Sequence, residues 1–570
     1  MPEPGNNAYY DVDVDVIVVG AGPIGLTTAC ALGHHGVQFR LFEEKPKPKP
    51  YSRANNVWAR PQELLDSIGV RAALAEKSYL IEKQTVLLDG RPLDQVPLDQ
   101  VRSPFPKVFY SGQDVIETTL SEQVAKTGGA VERGKKVVDI QPDEHGVSVT
   151  VVPLNGDGEP DGQAEHLRCR YLVGADGDKG GVRKAVGLDF EMQERFEGRA
   201  NRSIDAKLTW RRPTDSDQLW FFVYHNGFAG VMPVWGGYHR IFFLEDDTGM
   251  PDRDPTLEEM QQHAREVTGD ETLTLSDPVW FSHNRFQYGV APHYAAGRVF
   301  LAGDAGHHTL PIGGQGMNAG MTDGIGLAWR LAMALEGSAG DAVLGSYDGE
   351  RHGQHADLSD NQATGMRRLV YRNRAEDLAL DVAGKVVPDL GSKLFGSNDL
   401  QQLSVGYRKS LLSEDHLVGL RELLRSDAPH AGDRAPDAKV TAADGKTLGL
   451  FTYIYNPDGR SWGWSLLAFD GRQAEVRADL LAAVEAAAPW DFIRPRLVLA
   501  APADPDIGHG ELTVLSDFDE GAHAAYGLDG LPALILVRPD GHIAFRGPAN
   551  RPELLKAYCE KVFAALGRPA

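Results

Sequence analysis

Cysteine is scarce: the 570 residues include only Cys30, Cys169 and Cys559. They form no CxxC and no metal-ligand spacing, so neither a disulfide framework nor a metal site is expected. This usage fits a reducing cytosol and a cytoplasmic location. A basic surplus is also missing. Lys and Arg total 58 against 80 Asp and Glu, a formal net charge of −22. That excludes general affinity for nucleic acid or an anionic membrane, so an anionic ligand must find a local positive site. No apolar run approaches the ~20 residues that cross a bilayer. The opening residues 1–15 are polar and acidic, without the basic and apolar regions of a secretory signal. What remains, 42% hydrophobic and 24% charged, is the profile of a soluble globular protein. The length predicts two to four domains.

The first chemistry-bearing motif follows a buried-strand pattern over 15–20. Gly20, Gly22 and Gly25 form GxGxxG, a helix-like stretch follows over 26–34, and a second strand over 37–42 ends at Glu43 and Glu44. In a strand–turn–helix context this is a dinucleotide site. Gly20 permits the tight turn, Gly22 lets backbone approach a pyrophosphate, and Gly25 lets helix pack on strand. The pyrophosphate sits on the helix N-terminus, where unpaired N–H groups favour negative charge. Glu43, 18 residues beyond Gly25, stands where ribose hydroxyls are accepted. These residues alone do not separate FAD from NAD.

Alternation over 190–287 reads as an antiparallel sheet, with Trp220, Phe221, Phe222, Tyr224, Trp235 and Tyr238 divided between a pocket and the core because strand side chains alternate faces. Another strand over 298–302 leads into a glycine-rich turn and a helix from about 316 to 335, with helical pattern again over 346–380. The polar stretch 426–436 reads as a linker. Beyond it, strand-like runs at 464–469, 496–500, 534–537 and 542–545 with a helix over 478–488 form a small α/β domain.

The run from Leu301 to Asn318, LAGDAGHHTLPIGGQGMN, resembles the GD motif of the flavin-dependent aromatic hydroxylases. Tyr171 to Arg183, YLVGADGDKGGVR, resembles that family's DG motif, with glycine in place of its serine. The resemblance implies a family of para-hydroxybenzoate and phenol hydroxylases. It implies FAD and NAD(P)H as cofactors, with Asp304 on the ribityl hydroxyls and Gln113, Arg53 and Asp176 at the cofactor. Pro311, Gly314, Gly316, Met317 and Asn318 would line the flavin, Glu44 would stand beside Glu43, and the helix N-terminus near Gly314 would stabilise a reduced, anionic ring. Substrate hydroxylation would run through a flavin C4a-hydroperoxide. Catalytic expectations fall on Pro311, whose carbonyl faces the reacting flavin edge in the family, and on Asn55, near an acidic family position. Asparagine can hydrogen-bond a phenol but cannot deprotonate it.

The fold class expected is α/β: a Rossmann-like FAD-binding domain (1–185 and 291–425, with some substrate-domain strands near 80–110), interleaved with an antiparallel-sheet substrate domain (186–290), plus a C-terminal thioredoxin-like domain (426–570). Pro532 would be that domain's cis-proline, and without CxxC no thiol redox role is expected. The function implied is hydroxylation of a phenolic or polycyclic aromatic with dioxygen. Baeyer–Villiger or epoxidising chemistry, or a non-oxygenating flavin reductase, remain as alternatives. By analogy, a homodimer is the expected assembly. Several histidines have structural readings: His307 and His308 as motif structure, His34 and His35 as dipole partners at a helix C-terminus, His352 and His355 as surface helix residues.

Overall fold

The computed structural model describes residues 12–48, 54–194, 198–213, 217–225, 227–310, 312–370, 400–417, 428–455, 462–500, 512–519, 521–528 and 530–564. Arg53, Pro311 and the last part of the helical reading over 346–380 lie outside them.

Strands Val299–Leu301, Glu165–Gly174, Val14–Val19, Phe39–Glu43 and Val131–Arg133 run parallel in that order. Val16, Ile17 and Val18 are wholly buried. A parallel strand covered on both faces needs an unbroken apolar run, and this explains the pattern at 15–20. Helix Pro23–His34 leaves the first strand through the glycine motif. The long helix Gln315–Leu335 packs on it through Gly320 and Gly324, where a Cβ would collide with Ile24 and Thr28.

A seven-stranded sheet has the order Thr274–Arg285, Arg199–Thr209, Tyr238–Asp246, Gly227–Val234, Gln218–Tyr224, Lys83–Leu88, Arg91–Pro97. It is not wholly antiparallel as expected, because Gln218–Tyr224 runs parallel to Lys83–Leu88. Those two strands are far apart in the chain, so no hairpin imposes an antiparallel return. One face packs Ile204, Phe222, Ile241 and Phe243 against helix Leu257–Thr268. The other turns Leu219 and Met232 toward Trp58 and Tyr110.

An eight-stranded sheet closes the chain. Its order is Glu414–Asp415, Ile543–Pro548, Ala533–Val537, Trp464–Phe469, Ile493–Leu499, Thr513–Ser516, Lys439–Ala442, Thr447–Gly449. The stretch read as a linker is in its described part a packed segment. Ala428, Ala431 and Ala435 are buried, and the Gly432 N–H donates to the Ile543 carbonyl at 2.7 Å. Buried backbone needs partners, and this segment finds them on the sheet despite its polar composition. The described backbone contains no cis peptide bond, so Pro532 is trans, contrary to expectation. Trp464 meets Trp329 edge-on at 5.9 Å and donates to the Met333 sulfur at 3.3 Å, which joins this sheet to the core around helix Gln315–Leu335. Among the described residues no helix is long and apolar enough to cross a membrane.

Candidate active site

Gly20 adopts φ +100°, and a Cβ there would strike the Ala175 carbonyl. A Cβ on Gly25 would fall inside the radius of the Gly20 carbonyl oxygen. Gly22 differs: no heavy atom of the described protein lies within 4 Å of its Cβ position, and it stands at a helix N-terminus with no side-chain cap. The loop therefore presents open backbone at a positive helix end. Glu43 accepts from the Ala21 N–H at 2.8 Å and the Lys45 N–H at 2.9 Å, which ties the end of the second strand to the glycine loop. Glu44 is exposed, 3.7 Å from Lys136. Of the two acids, Glu43 is the one at the loop.

The second cradle is built from the chain around 303–318. Gly303, at φ +63°, fits under Ile24 where no side chain could. It leaves Asp304 half-exposed in a single helical turn. Gly313 and Gly314 both adopt left-handed conformations (φ +67° and +62°), and a Cβ on Gly314 would strike the Asn56 side chain. Asn318 accounts for this register. Its oxygen accepts from the Trp58 N–H at 2.8 Å, and its amide donates to the Asn56 carbonyl at 3.0 Å and the Gly314 carbonyl at 2.6 Å. Trp58 donates from Nε1 to the Gly313 carbonyl at 2.8 Å. Thus Asn318, expected as a cofactor contact, spends its side chain on the two backbone segments. Asn318→Ala removes all three of these hydrogen bonds, each worth about 0.5–1.5 kcal/mol net. The expected result is a protein that melts lower, read by thermal unfolding.

Gln113 and Asp176 behave similarly. The Gln113 oxygen accepts from Ala54 N–H at 3.1 Å and its amide donates to Glu117 at 2.8 Å. Asp176 accepts from Val182 N–H at 2.9 Å, and burial raises its carboxyl above the usual range. Met317 is buried in the core. Gly316 opens the long helix, next to Thr309.

The apolar side of this region is the inner face of the seven-stranded sheet. Asn55 is buried, and its amide donates to the Met232 sulfur at 2.8 Å. Met232 pairs in register with Arg240, which forms a bidentate ion pair with Asp205 at 2.8 and 2.7 Å and lies over Trp280 at 4.5 Å. Arg240 and Asp205 are both buried. Strand alternation puts Phe221 on this inner side with Phe242, whereas Trp220, Phe222 and Tyr224 pack toward the helix. The Arg240–Asp205 pair was missed in the sequence. It lies 35 residues apart in the chain, and only strand register joins it.

Residues 13–362 match the model of a family described as FAD binding domain. The chain belongs to this FAD-binding family. The chain is 29% identical over 543 residues to 12-dehydrotetracycline 5-monooxygenase/anhydrotetracycline 6-monooxygenase of Streptomyces rimosus subsp. rimosus, covering 93% of this chain and 95% of that one. It is 26% identical over 558 residues to pentachlorophenol 4-monooxygenase of Sphingobium chlorophenolicum, with 97% of both covered. It also superposes on aklavinone-11 hydroxylase, solved with FAD and aklavinone, with a TM-score of 0.72 and 26% identity over 98% of this chain and all (100%) of that one.

The donor set fits the family's cofactor. An uncapped helix N-terminus has open space at Gly22, Glu43 is tied to that loop through Ala21, Asp304 stands half-exposed in the second cradle, and Gly313 and Gly314 are left-handed where no side chain fits. Beneath the cradle lies a cluster that the sequence did not disclose. Asp323 accepts from Gly303 N–H (2.9 Å), His307 Nε2 (2.7 Å), Arg351 Nε (2.5 Å) and His355 Nε2 (3.2 Å), and the two imidazoles stack at 3.4 Å. His307, Asp323 and His355 have the spacing of metal ligands, but both carboxylate oxygens are already saturated and a guanidinium holds the cation's place. His355 is fully buried, not a surface residue, and burial lowers it to about 3. It lies on helix Asp341–Val370 and packs against Asp323 of helix Gln315–Leu335. His352 is half-buried against Tyr294. Burial disfavours the cationic form of His34 and of His35, lowering His35 to about 3.

Proposed function

We propose that this chain is an FAD-dependent monooxygenase that takes reducing equivalents from NAD(P)H and hydroxylates a phenolic or polycyclic aromatic compound with dioxygen. The observation that carries this reading is the join between the Gly313–Gly314 cradle, held by Trp58 and Asn318, and the inner face of the sheet, reached through Asn55 and Met232. The relatives named above, a pentachlorophenol 4-monooxygenase among them, support it.

In this reading the first helix N-terminus at Gly20, Gly22 and Gly25 binds the pyrophosphate. Glu43 accepts from the ribose and Asp304 from the ribityl chain. Arg53, Pro311, Gly316 and Met317 line the ring. Bound FAD supplies the reduction and the activation of dioxygen. The chain's own residues orient and dry the site. The N–H groups around Gly314 stabilise negative charge that develops on the ring. Trp58, Phe221 and Phe242 exclude water on the substrate side. Asn55 hydrogen-bonds a phenolic oxygen, and the Arg240–Asp205 pair offers a charged polar handle on the same face. No side chain here is assigned as the substrate's base.

For the last sheet we propose the finer assignment of a thioredoxin-like fold. Its support is a strand, Trp464–Phe469, parallel to Ile493–Leu499 on one side and antiparallel to Ala533–Val537 on the other, with helix Arg477–Ala487 between the parallel pair. Cys559, the cysteine of this domain, is buried, and burial raises its thiol, which supports a structural rather than a thiol-redox role.

The test is NADPH oxidation by the FAD-loaded protein with single-ring and fused-ring phenols, and the mass of the products. The expected result is faster oxidation with one class and a product heavier by one oxygen. A flavin that neither NADPH nor NADH reduces without oxygen overturns the reading.

A further inference from the structure

A buried chain of charged side chains runs from the last sheet to the cofactor cradle. It starts in the turn between Ala533–Val537 and Ile543–Pro548, where Arg538 pairs with Asp540 at 3.0 and 2.5 Å and Asp540 with His542 at 3.3 Å. Arg538 also binds Glu350 at 2.7 and 3.0 Å, and Glu350 holds Arg330 at 2.6 Å. The next residue on that helix, Arg351, donates to the Tyr407 hydroxyl at 2.5 Å, to the Ala319 carbonyl at 2.9 Å and to Asp323, and it also bonds Gln354. The Tyr407 ring lies 4.6 Å from His542. Asp323 ends the path on the N–H of Gly303, the residue immediately before Asp304. Every charged member is buried.

Folding alone does not require this arrangement. Apolar side chains of similar volume usually serve a buried interface at least as well as ion pairs, whose desolvation consumes most of their attraction. What ion pairs add is direction. Asp323 has its oxygens fixed by Arg351 on one side, so it can hold the Gly303 peptide in one orientation on the other. Gly303 has a left-handed backbone, and without that tether the turn has other conformations within reach.

We infer that Asp323 and Arg351 are positioning residues for the cofactor turn, and that the last sheet sets their geometry through Tyr407, so that this sheet acts on FAD binding without touching FAD. This rests on the reading of Asp304 as a ribityl contact. The sheet thereby has a role beyond packing. Its docking orders the half of the cradle that the glycine motif at 20–25 does not build.

The test uses the full chain and three variants, with FAD affinity from flavin fluorescence, visible circular dichroism of the bound flavin, and melting temperature. Tyr407→Phe keeps the ring and removes the hydroxyl that accepts from Arg351 and donates to Gln354 at 3.2 Å, so FAD binding is expected to weaken roughly fivefold, with a changed dichroism spectrum. Arg351→Met is expected to weaken it on the order of fiftyfold, as for bonds to a charged group, with Arg351→Lys recovering part of the loss. Asp517→Asn loosens the same sheet at Asp517–His523, away from the path. It is expected to lower the melting temperature and leave FAD affinity and dichroism unchanged. Equal affinity and spectra for parent, Tyr407→Phe and Arg351→Met overturn the inference, as does an Asp517→Asn loss as large as that of Tyr407→Phe. A parent that binds no FAD would instead refute the cofactor reading itself.

Discussion

Gly22→Ala is expected to give a protein that melts with the parent when free of cofactor but purifies without flavin. The protein leaves the Cβ position of residue 22 free of neighbours, and φ at that residue is −73°, which alanine adopts without strain. The methyl group meets nothing until a pyrophosphate is brought to the helix N-terminus. There it forces the backbone away from the anion, an overpacking of about 1–3 kcal/mol, which is roughly fivefold to over a hundredfold in affinity. Gly25→Ala is the contrasting substitution. Its methyl collides with the Gly20 carbonyl in the cofactor-free protein, so both melting temperature and flavin content fall. Absorbance of the purified protein near the flavin band, with calorimetry of the apoprotein, separates the two. Equal flavin content in Gly22→Ala and the parent would remove the pyrophosphate from this loop.

Glu63→Ala is expected to undock the last sheet from the cofactor-binding half. Glu63 has no exposed surface and is held by Arg434 at 2.8 and 2.5 Å, by Arg60 at 3.1 Å and by the Ser103 hydroxyl at 2.6 Å. Arg60 also donates to Tyr455 at 2.6 Å and to the Asp540 carbonyl. Removing the carboxylate leaves two guanidinium groups buried with less than their charge in partners, at a cost of about 3–5 kcal/mol. The pH dependence follows. Burial pushes the Glu63 carboxyl up, but Arg434 and Arg60 outweigh it and hold the group below its ordinary value of 4.5. A carboxylate lowered in the folded state contributes stability in full above its unfolded value and loses it as pH falls through the folded one. The parent should therefore lose stability below pH 4.5 more steeply than Glu63→Ala. Urea unfolding at neutral pH and across that acid range reads both effects. A variant as stable as the parent at neutral pH would show that the docking does not depend on this carboxylate.

The glycines of the candidate site were legible in the sequence wherever backbone geometry demanded a residue type. Gly20 and Gly25 have no room for a side chain, and Gly303, Gly313 and Gly314 take left-handed conformations. Such demands recur as fixed short spacings that can be read without a structure. The strands at 14–19 and 464–469 were legible for a similar reason, since full burial writes a continuous apolar run. Side-chain roles were less legible. Asn318 stands in the right motif but bonds Trp58, Asn56 and Gly314, and Asp176 turns inward to Val182. A motif fixes which residue occurs, not which of several nearby partners its polar atoms take.

Composition and local pattern by themselves determined the class of protein, the nucleotide loop, the glycine-rich cradle and the approximate position of most strands and helices. These depend on interactions between residues a few positions apart. Tertiary structure alone decided that Arg240 meets Asp205, that Asp323 gathers Gly303, His307, Arg351 and His355, and that Arg434 reaches Glu63 across 371 positions. Charged groups read from the sequence as solvated surface, because burial of a charge is costly unless a partner waits for it. Where the partner lies hundreds of residues away, nothing local distinguishes a buried arginine from an exposed one until the chain has folded.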